Sequence, residues 1–195
     1  MEASTRGAGV RRREKLTLVM LDLAGFARAF HTRDDEQVAD FLDDYYALCE
    51  RVIGARSGTV VKFMGDGCLA TFDGARAAEA IAAVMALERA VSELAGRHQL
   101  EVELGANVHL ASVIAGAFGD AARPRQDVIG RGVNQTFLLG RGAGVRISEP
   151  VYRQLPNDAR SPWRKQKPPA TYHLAAPHEV SGADAADRAR DAARW

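Results

Sequence analysis

A β-hairpin between two long helical patterns constrains the fold of this chain more than any other feature. Residues 60–72, VVKFMGDGCLATF, contain two short apolar runs joined by a Gly-Asp-Gly turn. Glycine and aspartate provide the backbone freedom that such a tight connection requires. Lys62 and Asp66 lie four residues apart on the two sides of the turn. A solvent-exposed turn needs neither side chain at a fixed spacing, so the pair is a candidate for function.

Amphipathic helices are predicted on both sides of the hairpin. Residues 34–56 carry apolar side chains at helical spacing, and Asp34 is available as the N-cap. Residues 74–96 form a second, alanine-rich helical pattern that stops at Gly96. The apolar stripes are Val38, Phe41, Leu42, Tyr45, Leu48, Val52 and Ile53 in the first helix, and Ile81, Val84, Leu87, Val91 and Leu94 in the second. Helices with one apolar stripe pack on another element, here a sheet.

Short apolar runs predict the strands of this sheet. Residues 16–21, LTLVML, form a continuous apolar run that is typical of a central strand, and this strand ends at Asp22. Residues 100–119 alternate at first, and their glycines predict a bent or bulged strand. Shorter elements are predicted as strands at 127–130, 145–148 and 170–174, a brief helix at 133–139 and a helical turn at 149–155.

The order of these elements predicts an α/β fold, an α+β sandwich in which helices cover a mixed sheet and the first strand pairs with the hairpin. The 195 residues suffice for one compact domain. We expect this domain over residues 15–175. Residues 1–14 are predicted to be a flexible tail, and residues 176–195 a flexible or helical tail exposed to solvent.

Composition disfavours nucleic acid and anionic membranes as partners. The 26 lysines and arginines nearly cancel the 25 aspartates and glutamates, so no overall field favours nucleic acid or an anionic membrane. The arginines near the N-terminus leave tethering to either one as the minority alternative. Cys49 and Cys68 form no CxxC pair and no metal-ligand spacing, which favours a reducing compartment. No apolar run is long enough for a signal core or a membrane span, so we expect a cytoplasmic protein.

Two carboxylates are expected to converge if the first strand is central. Asp22 ends that strand, and Asp66 lies at the tip of the adjacent hairpin. Such a pair suits Mg²⁺ or Mn²⁺, which prefer oxygen ligands and keep open positions for phosphate. Residues 23–26, LAGF, are predicted to begin a helix whose free backbone N–H groups can meet phosphate oxygens. The ordinary alternatives are a helix cap for Asp22 and a plain turn for Asp66.

Three motifs, in this order, resemble the class III nucleotidyl cyclases, the catalytic domains of adenylate and guanylate cyclases. VMLDLAGFA, residues 19–27, is similar to the family's strand, metal-binding aspartate and entry to a helix. VVKFMGDGCLATF is similar to its hairpin, and DVIGRGVN, residues 127–134, to the segment in which an asparagine follows an aspartate by seven residues. VRISEPVY and ATYHL resemble its closing elements. The resemblance spans residues 16–174 and implies a ferredoxin-like βαββαβ core with extra C-terminal strands and helices.

The resemblance implies a lyase that converts a nucleoside triphosphate into a 3′,5′-cyclic nucleotide and pyrophosphate. It also implies a head-to-tail homodimer with two composite sites, in which Asp22, Asp66 and the Leu23 carbonyl hold two Mg²⁺ or Mn²⁺ ions. The partner subunit would supply Lys62 and Asp127 to contact the base. Further contacts implied with the substrate come from Asn134 on the ribose, from Leu23, Ala24, Gly25 and Phe26 on the phosphates, and from Lys165 or Lys167 on the triphosphate.

Lys62 and Asp127 favour ATP as the substrate. Adenine offers an acceptor ring nitrogen, which lysine can serve, and a donor amino group, which a carboxylate can accept. Family members that use GTP carry a glutamate and a small residue at these two places. The resemblance therefore implies an adenylate cyclase whose product, cAMP, acts as a second messenger on a separate effector protein. The alternative is a lysine that extends along an exposed strand and an ordinary loop aspartate.

The segment after Asn134 departs from the family pattern. The family usually has an arginine four residues after this asparagine, where it stabilises the phosphate in the transition state, and this chain has Leu138. Arg141, seven residues after Asn134, would lie on the same helical face about two turns away. The flanking glycines make a surface arginine the alternative, because they can end the helix. Arg131 is a second candidate.

Two further functions stay open. A pyrimidine-specific cyclase producing cCMP or cUMP is suggested by short class III relatives in bacterial anti-phage signalling, which lack a fused sensor domain and have a nonstandard asparagine helix. A catalytically silent cyclase-like module that binds a nucleotide or a regulatory partner is suggested by Leu138.

Overall fold

The computed structural model of the protein describes residues 11–166 and 170–174. The strands are β1 (Arg12–Ala24), β2 (Thr59–Met64), β3 (Gly67–Asp73), β4 (Glu103–Phe118), β5 (Arg125–Ile129), β6 (Gly144–Ser148), β7 (Trp163–Gln166) and β8 (Thr171–Leu174). The helices are α1 (Phe26–Ala29), α2 (Asp35–Gly54), α3 (Ala77–Arg97), α4 (Arg131–Phe137) and α5 (Glu149–Gln154), followed by a 3₁₀ turn at Asn157–Arg160. None of the helices within the described ranges is long and apolar enough to cross a membrane.

All of these strands belong to one mixed sheet. Its order is β2-β3-β1-β4-β6-β8-β7, and β5 also pairs with β4. The β4–β6 pair is parallel and the other pairs are antiparallel. The sequence β1-α2-β2-β3-α3-β4 with strand order β2-β3-β1-β4 is the predicted ferredoxin-like βαββαβ core, which the structure confirms.

The two long helices form where their apolar stripes predict them. The Asp34 carboxylate accepts a hydrogen bond from the backbone N–H of Gln37 at 2.8 Å, which confirms it as the N-cap of α2. The α2 stripe buries Phe41, Tyr45, Leu48, Cys49 and Ile53. The α3 stripe buries Val84, Leu87, Val91 and Leu94 together with small alanines. These side chains form the large core between the helices and one face of the sheet.

The other face of the sheet has a smaller core. Leu18, Met20, Leu69, Val113 and Val128 are buried there, and α4 and β5 pack over part of it. Because side chains alternate along a strand, Asp22 shares this second face with Leu18 and Met20. We call this the open face of the sheet, since the long helices α2 and α3 lie on the opposite side.

Several element boundaries differ from those predicted. The long strand β4 pairs with β1 from Arg12 to Ala24, so the predicted 16–21 strand is longer at both ends. The tail predicted at residues 1–14 therefore overlaps β1 from Arg12, and the predicted tail at 176–195 lies outside the described residues. The helix predicted to begin at Leu23 was wrong, because Leu23 and Ala24 continue β1 opposite Leu104 and Glu103 of β4. Helix α1 is one turn long and follows Gly25, whose φ is 87°.

Two C-terminal predictions also change. Helix α4 begins at Arg131, two residues before the predicted start, and ends at Phe137. Strand β7 was not predicted, because its residues WRKQ carry no apolar alternation. It forms only as the hairpin partner of β8, in the register Trp163↔Leu174 to Gln166↔Thr171.

Candidate active site

The carboxylates of Asp22 and Asp66 are brought together by the register of three elements. Strand β1 pairs with β3 as far as Leu21↔Cys68, so Asp22 lies one residue beyond the last pair. Strands β2 and β3 close at Met64↔Gly67, which leaves a two-residue loop of Gly65 and Asp66. Gly65 has a φ of 64°, in the left-handed region that glycine tolerates. The loop therefore places Asp66 beside the end of β1.

The electrostatics of Asp66 reflect this proximity. Burial raises the pKa of the Asp66 carboxyl above its ordinary value, and the charge of Asp22, together with a hydrogen bond between the two side chains, raises it further. Hydrogen bonds to the backbone amides of Asp66 itself and of Leu23 lower this pKa in opposition. Two like charges in contact disfavour joint ionisation unless a cation lies between them.

The donor set fits a hard divalent cation. The described ranges contain no cluster of three or more histidine, cysteine, aspartate or glutamate side chains, so the two carboxylates are joined by no further ligand of these types. Asn107 is 6% exposed and lines the same cleft, and its Oδ1 has no hydrogen-bond partner within the described residues. Such an oxygen set, completed by water, phosphate or a backbone carbonyl, is typical of Mg²⁺ or Mn²⁺.

Helix α2 braces the loop that carries Asp66. The hydroxyl of Tyr46 donates a hydrogen bond of 2.6 Å to the carbonyl of Gly65. The Tyr46 ring stacks on Phe63 with the ring centroids 3.9 Å apart. Sequence reasoning did not assign this contact to Tyr46, and the adjacent pair of tyrosines gave no signal for which one would meet the turn.

A cleft of about 460 Å³ opens between the carboxylates and the segment that follows α4. Its lining residues include Asp22, Met64, Asp66, Asn107, Leu138 and Arg141. Leu138 is 74% exposed at this cleft, at the position where the family pattern has its arginine. The structure thus brings Arg141 and both candidate metal ligands to one cleft within one chain.

The segment between α4 and β6 is held by Arg146, a residue that sequence reasoning missed. Arg146 is 6% exposed, and its guanidinium donates to the carbonyls of Arg141 (2.6 Å), Gly142 (2.9 Å), Ala143 (2.8 Å) and Gly144 (3.3 Å). Burial lowers the pKa of Arg146, whereas the negative charge of Asp22 raises it. An arginine inside the apolar strand VRIS was the available signal, because a buried charge requires partners.

Lys62 and Asp127 meet on the open face of the sheet. Their ammonium and carboxylate are 2.8 Å apart, and the side chains are 39% and 25% exposed. Strand β2 has an irregular register between Val60 and Lys62, and such a bulge re-aims the side chains that follow it. Lys62 pairs with Leu69, which belongs to the open face. Neither Lys62 nor Asp127 lines the carboxylate cleft.

Helix α4 carries Asn134 and Arg131 on exposed positions. The helix approaches the sheet closely at Gly132, where an added Cβ would lie 2.3 Å from the Cβ of Ala111. The Thr136 hydroxyl donates to the Gly132 carbonyl at 2.8 Å. Asn134 does not line the carboxylate cleft, although the residues at the end of the same helix do.

The other predicted substrate contacts lie away from this cleft. Ala24 and Gly25 line a different groove at the end of α3. The Phe26 ring packs against Phe30, with the centroids 4.7 Å apart. Lys165 lies on β7, and its ammonium is 5.9 Å from the centre of the Tyr172 ring. Lys167 lies outside the described residues.

The fold and the paired carboxylates agree with the family assignment. The model of the family described as "Adenylate and Guanylate cyclase catalytic domain" matches residues 9–168. The chain therefore belongs to the class III nucleotidyl cyclase family.

Solved cyclase domains share this fold. The guanylyl cyclase Cya2 is 24% identical with a TM-score of 0.73, over 86% of this chain and 93% of that structure. The adenylyl cyclase CyaB from P. aeruginosa is 19% identical with a TM-score of 0.75, over 86% and 96%. At this identity the likeness shows the fold alone.

Curated relatives are longer proteins. An adenylate cyclase of Anabaena cylindrica is 23% identical over 154 residues, which are 72% of this chain and 31% of the relative. Adenylate cyclase 1 of Rhizobium meliloti is 24% identical over 138 residues, which are 65% of this chain and 20% of the relative. The chain thus spans a third or less of the length of these relatives.

Proposed function

We propose that the protein is a nucleotidyl cyclase that converts ATP into 3′,5′-cyclic AMP and pyrophosphate, at composite sites in a homodimer. One observation carries the proposal: Asp22 and Asp66, from two separate motifs, adjoin in a single cleft. An oxygen-rich pair of this kind, next to an open cleft, suits two Mg²⁺ or Mn²⁺ ions and a triphosphate.

The carboxylates and backbone at this cleft would organise the reaction. Asp22 and Asp66 hold the ions, and the Leu23 carbonyl is a further oxygen ligand in this proposal. When bound, the ions lower the pKa of the ribose 3′-hydroxyl and neutralise the triphosphate. The 3′-hydroxyl gives its proton to water, its oxygen forms a bond to the α-phosphorus as the bond to the bridging oxygen breaks, and pyrophosphate leaves in line. Asn134 is proposed to orient the ribose.

The ion pair of Lys62 and Asp127 supports adenine as the base. The two side chains present a donor and an acceptor next to each other, at a distance of 2.8 Å. The acceptor ring nitrogen and donor amino group of adenine are neighbours on one edge, and they are complementary to this arrangement. Both side chains remain partly exposed, so a base can reach them.

A homodimer is proposed because the base contacts and the carboxylates lie at different places on one chain. Lys62 and Asp127 are absent from the lining of the carboxylate cleft, which supports a site in which a second copy supplies them. The carboxylate cleft also has exposed apolar side chains among its lining residues, namely Met64, Phe137 and Leu138. Such a patch marks an interaction surface, and a two-fold arrangement would bury it twice and complete two sites.

Product identification tests this proposal. The purified protein is incubated with Mn²⁺ and each of ATP, GTP, CTP and UTP, and products are identified by mass spectrometry. We expect cAMP from ATP and its loss in Asp66→Asn. Absence of any cyclic nucleotide from all four substrates would contradict the cyclase proposal.

The same assay separates the remaining alternatives. A pyrimidine-specific cyclase would give cCMP or cUMP in place of cAMP. The exposed Leu138 at the position of the usual arginine favours a silent nucleotide-binding module as the second candidate. If the protein binds triphosphates without forming product, and Asp22→Ala leaves its cellular role intact, the silent module replaces the cyclase.

A further inference from the structure

Arg141 lies at a different place in the fold from the family's arginine, whose position is Leu138 in this chain. The family's arginine follows the asparagine on its helix, and Arg141 was expected to extend the same helical face as Asn134. Helix α4 instead ends at Phe137, and Arg141 lies in the following loop. Arg141 lines the cleft of Asp22 and Asp66 on its own chain, whereas Asn134 does not.

Strand pairing explains why the loop reaches this cleft. Gly144, the first residue of β6, pairs with Gly105 of β4, and Gly105 pairs with Asp22 on its other side. The loop therefore enters the sheet two strands from Asp22, at roughly 10 Å. The Gly142 carbonyl lies so close over Gly105 that a Cβ there would approach it to 2.4 Å. Residues 140–144 are thus fixed beside the end of β1.

Arg146 and Asn107 fix the conformation of this loop. The Arg146 guanidinium donates to four successive carbonyls of residues 141–144. The Asn107 side chain donates to the Gly140 carbonyl at 2.9 Å. Bonds from a charged donor are stronger than those between neutral groups. The backbone of Arg141 is therefore held in place by side chains of β6 and β4.

The Arg141 side chain remains available to a ligand. It is exposed, and within the described residues its guanidinium forms no ion pair or hydrogen bond. A guanidinium offers five donors in a planar fork that matches phosphate oxygens. A free arginine beside two carboxylates that suit metal ions provides the third component of a triphosphate site.

We propose that Arg141 binds the triphosphate at the carboxylates of its own chain, and that Arg146 positions it there. The cation missing at Leu138 is thereby supplied from the same subunit as Asp22 and Asp66, and not from the subunit that supplies Asn134. This inference rests on the proposed cyclase function and specifies which subunit provides the arginine.

Mixed dimers test the assignment. Two variants are co-expressed with different affinity tags and purified through both tags, so that each dimer contains one copy of each. The reference pair is Asp66→Ala with Asn134→Ala, which leaves one intact site of two and about half of the wild-type activity. Failure of this reference pair contradicts the composite dimer itself, separately from the role of Arg141.

Two further pairs give opposite results for the two assignments. The pair of Asp66→Ala with Arg141→Ala stays inactive if Arg141 acts at the carboxylates of its own chain. One site then lacks Asp66 and the other lacks Arg141. The double variant Asp66→Ala/Arg141→Ala with Asn134→Ala regains the activity of the reference pair, because both losses fall in one site. The reverse results, activity in the first pair and none in the second, would overturn the proposal.

Binding gives a readout that requires neither turnover nor a known base. Inorganic tripolyphosphate with Mg²⁺ is titrated into the protein by calorimetry. We expect Arg141→Ala to weaken its affinity about tenfold or more, as for a lost charge-assisted contact, and Arg141→Lys to weaken it less. The matched control is Arg89→Ala, an exposed arginine on α3, with unchanged affinity. An Arg141→Ala variant with wild-type affinity would overturn the proposal even if the dimer fails.

The positioning role of Arg146 has its own signature. Arg146→Lys retains a cation but cannot reach four carbonyls, so we expect weaker tripolyphosphate binding in the folded variant. In the Arg141→Ala background the same change should have little further effect, because the group that it positions is gone. Equal effects of Arg146→Lys in both backgrounds would reduce Arg146 to a general structural role.

Discussion

Replacing Arg146 by methionine should destabilise the protein strongly. Methionine keeps much of the aliphatic stem but removes a guanidinium that is 6% exposed and bonded to the carbonyls of residues 141–144. Hydrogen bonds from charged groups contribute roughly 1.5–3 kcal/mol each, but they are not additive and water can replace part of them. A carbonyl left buried without a donor costs about 1–3 kcal/mol, so with part of the four reached by water we expect a total of about 3–5 kcal/mol.

Thermal and urea unfolding measure the effect. For a chain of this size, about 1 kcal/mol lowers the melting temperature by roughly 2–4 °C, so the expected decrease is about 6–20 °C. Arg89→Met, on the exposed surface of α3, is the matched control and should change the stability by less than about 0.5 kcal/mol. If Arg146→Met lost less than about 1 kcal/mol, the four carbonyl contacts would not hold the loop, and the positioning of Arg141 would lose its basis.

Three further predictions concern the carboxylates, the turn and the base contacts. Burial and the charge of Asp22 raise the pKa of Asp66, so the ionised carboxylate destabilises the metal-free fold at pH values above this raised pKa, and the destabilisation disappears as the pH falls through it. Asp66→Asn should therefore raise the melting temperature near neutral pH without Mn²⁺, and it should abolish stabilisation by Mn²⁺. Tyr46→Phe removes the bond to Gly65 and keeps the ring stack, so urea unfolding should show a loss of about 1 kcal/mol, and activity should require more Mn²⁺. Lys62→Glu combined with Asp127→Ala should shift substrate preference from ATP towards GTP in the four-nucleotide assay, whereas retained ATP preference would exclude this pair from base selection.

The strand and helix order was predictable because each long element has an unambiguous period. The apolar stripe of α2 and the continuous run in β1 specify a helix and a central strand without tertiary information. The extension of β1 to Arg12 was not predictable, because residues 12–14 are charged. They form part of the strand only because the 16-residue β4 pairs with them.

The candidate site was predictable in part. The convergence of Asp22 and Asp66 follows from the pairing of β1 with the hairpin, and the contact of Lys62 with Asp127 follows only from the way β5 packs over the open face. The shape of the loop after α4 was not predicted, because it depends on two side chains of the neighbouring strands β6 and β4, Arg146 and Asn107.

The loop after α4 explains how an exposed leucine can occupy the usual arginine position without leaving the cleft uncharged. Leu138 lies at the end of α4, where a cation would extend from the helix. The chain turns there towards β6, and Arg146 holds this turn from the sheet, so Arg141 lies among the lining residues of the same cleft as Asp22 and Asp66. The position of the positive charge then depends on a buried arginine and not on helical spacing from Asn134. Helical spacing from Asn134 therefore names Arg141 for the wrong reason, because α4 ends at Phe137 and the loop and the sheet together determine where Arg141 lies.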